Sequence, residues 1–222
     1  MTDIKTTEAK LSSKAEIILL KIKHNRLLGN LRKIAKDFKK DHELALELWS
    51  TAEFLPRLLA VLILDKKRLS EDDLNAFTAD MQTHDFNERN NLMDWLFANQ
   101  LTKDKQKIAL IESWANSPFA LQRRTFWYYQ GRLRWTGKTP PENTEDLLSL
   151  IEATITQEQA EVQWVMNFTA GWIGVFDEQY RDRCIELGKR TGLYKDEKVS
   201  KGCTPNYLPD FIRIEYNKRQ KD

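Results

Sequence analysis

Asp94, the paired arginines Arg123 and Arg124, and the aromatic run Trp127, Tyr128 and Tyr129 are residues of this 222-residue chain whose types and spacing could do chemistry. A carboxylate, a guanidinium and aromatic faces on neighbouring helices can hold a cationic reacting centre beside a phosphate. The same residues also serve plain helix packing. An acid between Met93 and Trp95 within a helix is usually solvated or paired with a lysine. Three consecutive rings cover three faces of one helix, so at least one of them belongs to the core.

These side chains need helices to position them. Apolar spacing predicts a helix over residues 87–100 that carries Asp94, a connecting helix over 103–116, and a stop at Asn116-Ser117-Pro118. A long helix over 118–135 then carries the arginines, with Pro118 at its first position. Upstream, residues 14–39 read as two helices broken near Leu28-Gly29-Asn30. Ile17, Ile18, Leu20 and Ile22 form the apolar face of the first, with Lys21, Lys23 and Arg26 among its polar positions. Further helices are expected over 42–49, with Leu44, Leu48 and Trp49 inward, and over 53–65. Another runs from a Ser70 cap with an acidic first turn to about Met81.

Downstream, Thr136 to Pro141 is a loop, and Thr144 caps a helix that ends near Ile155. Helices over 158–176, 178–191 and 208–218 complete the chain, with an irregular stretch from Tyr194 to Pro209. This makes roughly eleven helices without strand alternation, in pairs spaced near 35 to 45 residues. That rhythm predicts an all-α fold: HEAT-like helical-pair repeats forming a curved α-solenoid, an α–α superhelix, with residues 1–222 as a single domain. A compact, non-repetitive helical bundle is the structural alternative.

Composition narrows the class. With 41% apolar and 31% charged residues, and only 8 Gly and 6 Pro, the chain reads as globular and helical. No apolar run approaches the ~18 residues of a membrane span, and the polar start has no signal-peptide core. Two cysteines make no disulfide framework, and His24, His42 and His84 have no metal-ligand spacing. We expect a cytoplasmic monomer with no metal and no cofactor. The net charge of +2 is unevenly spread: residues 1–40 hold 11 Lys/Arg against 4 Asp/Glu, and residues 181–222 hold 11 against 7. Basic ends point to nucleic acid or another polyanion, or to solvated lysine-rich helices.

Within this frame a family resemblance emerges. HELALELWSTAEFLPRLLAVLILDK, residues 42–66, resembles the early helix pair of the HEAT-repeat DNA alkylation repair proteins, the AlkD-like glycosylases. The resemblance continues through Asn90 to Leu101, Trp114-Ala115-Asn116-Ser117 and Arg123-Arg124-Thr125-Phe126-Trp127. It ends with Ile173-Gly174 and the stretch KVSKGCTPNYLP, residues 198–209. By this resemblance Asp94 is the catalytic carboxylate and Arg124 the DNA-contacting arginine, with Arg123 as the other register. Trp172 corresponds to an aromatic of the family site. Asn90 stands where the family commonly has a lesion-facing tryptophan, and Asn91 at the preceding acidic position.

The resemblance implies double-stranded DNA on a basic concave face and excision of cationic N3- or N7-alkylated purines. Breaking the glycosidic bond of such a base leaves an oxocarbenium-like sugar, which needs fixed negative potential and a placed water. Asp94 could stabilise that cation, Arg124 could hold a backbone phosphate, and Trp127 or Trp172 could offer a π face. The resemblance also implies that the lesion can stay stacked while its sugar is approached. Two other readings stay open: a DNA-binding or damage-sensing relative without catalysis, suggested by Asn90 and Asn91, and a helical-repeat scaffold for a protein partner. Trp49, Trp114 and Trp164 are assigned to packing, and the Gly202-Cys203-Thr204-Pro205 turn to structure.

Overall fold

A computed structural model describes residues 11–24, 28–102, 104–136 and 140–220. Arg26 of the first helix pair, and Gly137, Lys138 and Thr139 of the expected loop, lie outside the described residues. Twelve α-helices and no strand occur among the described residues, and the chain packs as two compact units, residues 1–108 and 109–222. No helix among them is long and apolar enough to cross a membrane.

The first unit is built on α3 (His42–Ser50) and α4 (Phe54–Ile63). In α4, Leu58, Leu59, Ala60, Val61 and Ile63 are all buried, so the helix is enclosed on nearly every side. Each of the leucine, valine and isoleucine side chains contributes about 1.5–3 kcal/mol on burial. Buried Arg57 spans three elements. Its guanidinium lies 4.9 Å from the Trp49 ring and donates to the Trp49 carbonyl at 3.1 Å and the Asp80 carbonyl at 2.9 Å. Trp49 Nε1 in turn donates to the Asp80 carboxylate at 2.7 Å. These bonds fasten α5 (Glu71–Met81), whose N-terminus carries the expected cap as a reciprocal pair between Ser70 and Asp73.

Before α3 come α1 (Ser13–His24) and α2 (Leu28–Phe38). The second helix already begins at Leu28, so Leu28, Gly29 and Asn30, expected as a break, lie within α2. On α1 the buried face is Ala15, Ile18 and Ile22, spaced three and four residues apart. Ile17 and Leu20, expected on that face, are exposed because their positions point round the helix. α6 (Phe86–Leu96) is capped by Asp85, which accepts from the amides of Asn87 and Glu88. A single π-helical turn, Phe97–Leu101, extends it. Trp95 Nε1 donates to the Leu58 carbonyl at 2.9 Å, and Gln100 Nε2 to the Val61 carbonyl at 2.5 Å, so α6 is pinned along α4.

α7 (Lys105–Ser113) carries the boundary between the units. In the second unit α8 (Ala120–Trp135) and α10 (Ala160–Phe176) form the principal packed pair. α9 (Thr144–Thr154), α11 (Glu178–Thr191) and α12 (Leu208–Arg219) surround it. Pro118 precedes α8 instead of opening it. The Ser117 hydroxyl accepts the Phe119 amide at 3.1 Å and places the proline in a turn. Thr144 likewise is the first residue of α9 and not its cap, because its hydroxyl accepts from buried Arg134 at 3.0 Å.

α12 docks where glycine allows close approach. A Cβ on Gly188 would lie 2.6 Å from Pro209 Cδ and 2.7 Å from Leu208 Cβ. The irregular segment before α12 is tied down by Glu215. Burial pushes this carboxyl up, but hydrogen bonds from Lys218, Thr204 and Arg219 outweigh it and hold it at about 2. Gly188→Ala is therefore expected to destabilise the protein by about 1–3 kcal/mol through overpacking, despite alanine's better helix propensity. Denaturant unfolding measures it, and an unchanged midpoint would mean that α12 shifts freely.

Candidate functional site

Asn90 and Asp94 sit four residues apart on α6 and so share one face of that helix. Both are half-buried. The opposite side of the same turns, Leu92, Met93 and Leu96, is in the core. Asn90 donates from Nδ2 to the Phe86 carbonyl at 2.8 Å, one turn back, and its buried Oδ1 has no hydrogen-bond partner among the described residues. Asn91 is exposed. Next to Asp94, Trp95 lies under the guanidinium of Arg32 from α2, at 4.7 Å from its ring. The sequence offers no sign of this cation: 63 positions separate Arg32 from Trp95.

The first unit also contains a cavity of about 560 Å³ lined by Ile22, Phe54, Pro56, His84 and Glu88, among others. His84 Nδ1 lies 2.7 Å from a Glu88 carboxylate oxygen. Asp94 is not among the lining residues, so the cavity and the candidate carboxylate are separate features.

In the second unit the two arginines of α8 have different surroundings. Arg123 makes a two-pronged pair with Glu158, Nε and Nη2 each 2.8 Å from a carboxylate oxygen, and donates to the carbonyls of Ser117 at 2.8 Å and Pro118 at 3.3 Å. The hydrogen bonds to Glu158 raise its pKa above the usual guanidinium value. Its chief role in the fold is therefore to tie the start of α8 to Glu158, two residues ahead of α10. Arg124 is 6% exposed, with its guanidinium 5.9 Å from the Tyr128 ring one turn on. Trp127 is buried in the core, edge-on to Phe126 at 5.1 Å. Trp172, on α10, is 5% exposed and packed among Trp135, Phe168, Phe176 and Phe211.

The residues singled out from the sequence thus divide between the units. Asn90 and Asp94 stand together on α6 of the first. Arg123, Arg124 and Trp127 stand on α8 of the second, with Trp172 on the neighbouring α10. Of the two cysteines, Cys184 is buried and pushed by that burial up to about 12, so its thiol is inert. Cys203 is exposed beside Gly202, whose φ of 88 makes the turn one that glycine favours.

The helix order among the described residues defines an all-α protein. The chain belongs to the family described as "DNA alkylation repair enzyme", which matches residues 27–173, a span from α2 to most of α10. A solved structure described as "A new family of proteins related to the HEAT-like repeat DNA glycosylases with affinity for branched DNA structures" is similar to it, with a TM-score of 0.63 at 18% identity. The match covers 95% of this chain and 89% of that one, and the fold is accordingly HEAT-like and all-helical. No curated protein matches.

Arg123→Ala leaves the half-buried Glu158 carboxylate without its ion-pair partner, with an expected loss of about 1–3 kcal/mol in denaturant unfolding. Removing Glu158 as well should cost less than the two single changes added together. Strict additivity would mean that the pair contributes nothing to joining α8 and α10.

Proposed function

We propose that the protein is a DNA glycosylase that excises cationic N3- or N7-alkylated purines, with Asp94 as its catalytic carboxylate. The observation that carries this reading is the position of Asp94: half-exposed on α6, inside the span that matches the repair family. Alkylation at N3 or N7 leaves the purine positively charged and ready to depart. The C1′–N9 bond breaks with its electron pair going to the base, which neutralises it. The positive charge moves to the sugar, where a fixed carboxylate stabilises it. Water then attacks C1′, its oxygen forms the new bond, and its proton passes to the carboxylate or to solvent.

Arg124 is proposed to hold one backbone phosphate in this scheme. Its guanidinium is fixed beside Tyr128 and exposes little surface, which suits a single charge-assisted contact. Trp127 and Trp172, both buried in the second unit, are proposed as the aromatic residues that pack behind Arg124's contact with DNA. Arg123, the other register of the resemblance, keeps its fold-tying pair with Glu158.

A second reading is favoured by Asn90. Its amide is spent on the Phe86 carbonyl and offers no ring where the resemblance places an aromatic wall. On that reading the protein binds DNA without releasing a base, in line with the affinity for branched DNA attributed to its structural relative.

Chromatography of the bases freed from methylated DNA separates the two. Wild type is expected to release N3-methyladenine or N7-methylguanine, and Asp94→Asn to release it at least about 100-fold more slowly. Equal background release from both proteins, with DNA binding retained, would overturn the enzymatic reading in favour of the second.

A further inference from the structure

α10 carries aromatic residues at every fourth position, Trp164, Phe168, Trp172 and Phe176, which places all four on one face. Trp135 at the end of α8 joins this row. Its ring centroid is 6.2 Å from that of Trp172 with 30° between the planes, and Phe176 lies 5.8 Å from Trp172 on the same helix at 25°. Trp135 and Phe176 therefore each stack against Trp172, tilted from it by 30° and 25°. The middle ring is 5% exposed, while Trp135 is 42% and Phe176 48% exposed.

A single exposed ring is ordinary on any surface. Two exposed rings stacked against one buried ring, each with a guanidinium over it, are a more specific arrangement. Arg219 lies 4.6 Å from the Trp172 ring and 5.4 Å from Phe176, and Arg132 lies 6.0 Å from Trp135. Arg219 donates to Glu215 at 2.7 Å, but Lys218 shares that carboxylate at 2.8 Å, so the corner keeps a net positive charge. Half-exposed aromatic rings that already carry guanidinium groups match the chemistry of an unpaired nucleotide: a base to stack, and a phosphate to neutralise.

We propose that Trp135 and Phe176, backed by Trp172, form a stacking shelf for unpaired nucleobases, with Arg132 and Arg219 meeting the adjoining phosphates. The shelf rests on the reading of the protein as DNA-binding and shares Trp172 with the residues proposed above, but its two exposed rings, Trp135 and Phe176, have no part in that scheme and neither stands on the helix of Asp94. It gives the protein a way to prefer DNA with unpaired bases over plain duplex.

Fluorescence anisotropy with a labelled oligothymidylate and, separately, a labelled duplex of mixed sequence tests this. Trp135→Ala and Phe176→Ala are expected each to weaken oligothymidylate binding by roughly 5- to 100-fold. Duplex affinity should stay unchanged, and Trp135→Phe should retain most of the single-strand affinity. Circular dichroism checks that the variants are folded, and the remaining exposure of both rings makes that the expected outcome. Duplex binding together with single-strand binding that is absent, or equal in all variants, would overturn the shelf alone. Failure of wild type to bind either DNA would overturn the DNA-binding reading along with it.

Discussion

The close approach of α8 to α10 is the constraint on which the second unit depends. At Gly131 an added Cβ would lie 2.7 Å from Phe168 Cδ1 and 2.8 Å from the Thr169 hydroxyl oxygen, so the helices meet at a distance that only glycine permits. The Thr169 hydroxyl lies 2.7 Å from the Trp127 carbonyl and 2.8 Å from that of Val165, bridging the two helices at the same level. With Trp127 buried below this contact and the Arg123–Glu158 pair closing its far end, α8 has little freedom to rotate. Arg124 and Trp135 are thereby fixed with respect to the aromatic face of α10.

The first unit uses polar anchors where the second uses glycine. Arg57 reaches from the enclosed α4 to carbonyls on either side, and Trp95 and Gln100 donate to carbonyls of the α4 region. Buried side-chain donors paired with main-chain acceptors hold a helix in register, because each would be costly to leave unsatisfied. Asp94 and Asn90 inherit their orientation from these bonds. One turn of α6 places a charged and a neutral acceptor side by side on a rigid support.

Much of the helical framework was legible in the sequence because it rests on local rules. Leu44, Leu48 and Trp49 are buried as their spacing requires, Ser70 caps α5 with Asp73, and Val162, Val165, Met166, Thr169 and Ile173 line the core side of α10. Helix starts were harder where a tertiary partner competes for the capping group. Thr144 answers to Arg134, and Pro118 belongs to a turn closed by Ser117. Ile17 and Leu20 look like core on apolarity alone and are exposed. Asp94 and Asn90 could be paired from their spacing. The partnership of Arg123 with Glu158, or of Arg32 with Trp95, joins distant positions and has no local signature.

A duplex carrying a cationic pyrrolidine in place of one deoxyribose mimics the charge of the departing-base transition state and tests the catalytic claim at its centre. A crystal structure of that complex is expected to show the Asp94 carboxylate about 3 Å from the pyrrolidine nitrogen, within hydrogen-bond range. A well-ordered complex with that nitrogen beyond the reach of Asp94 would contradict it.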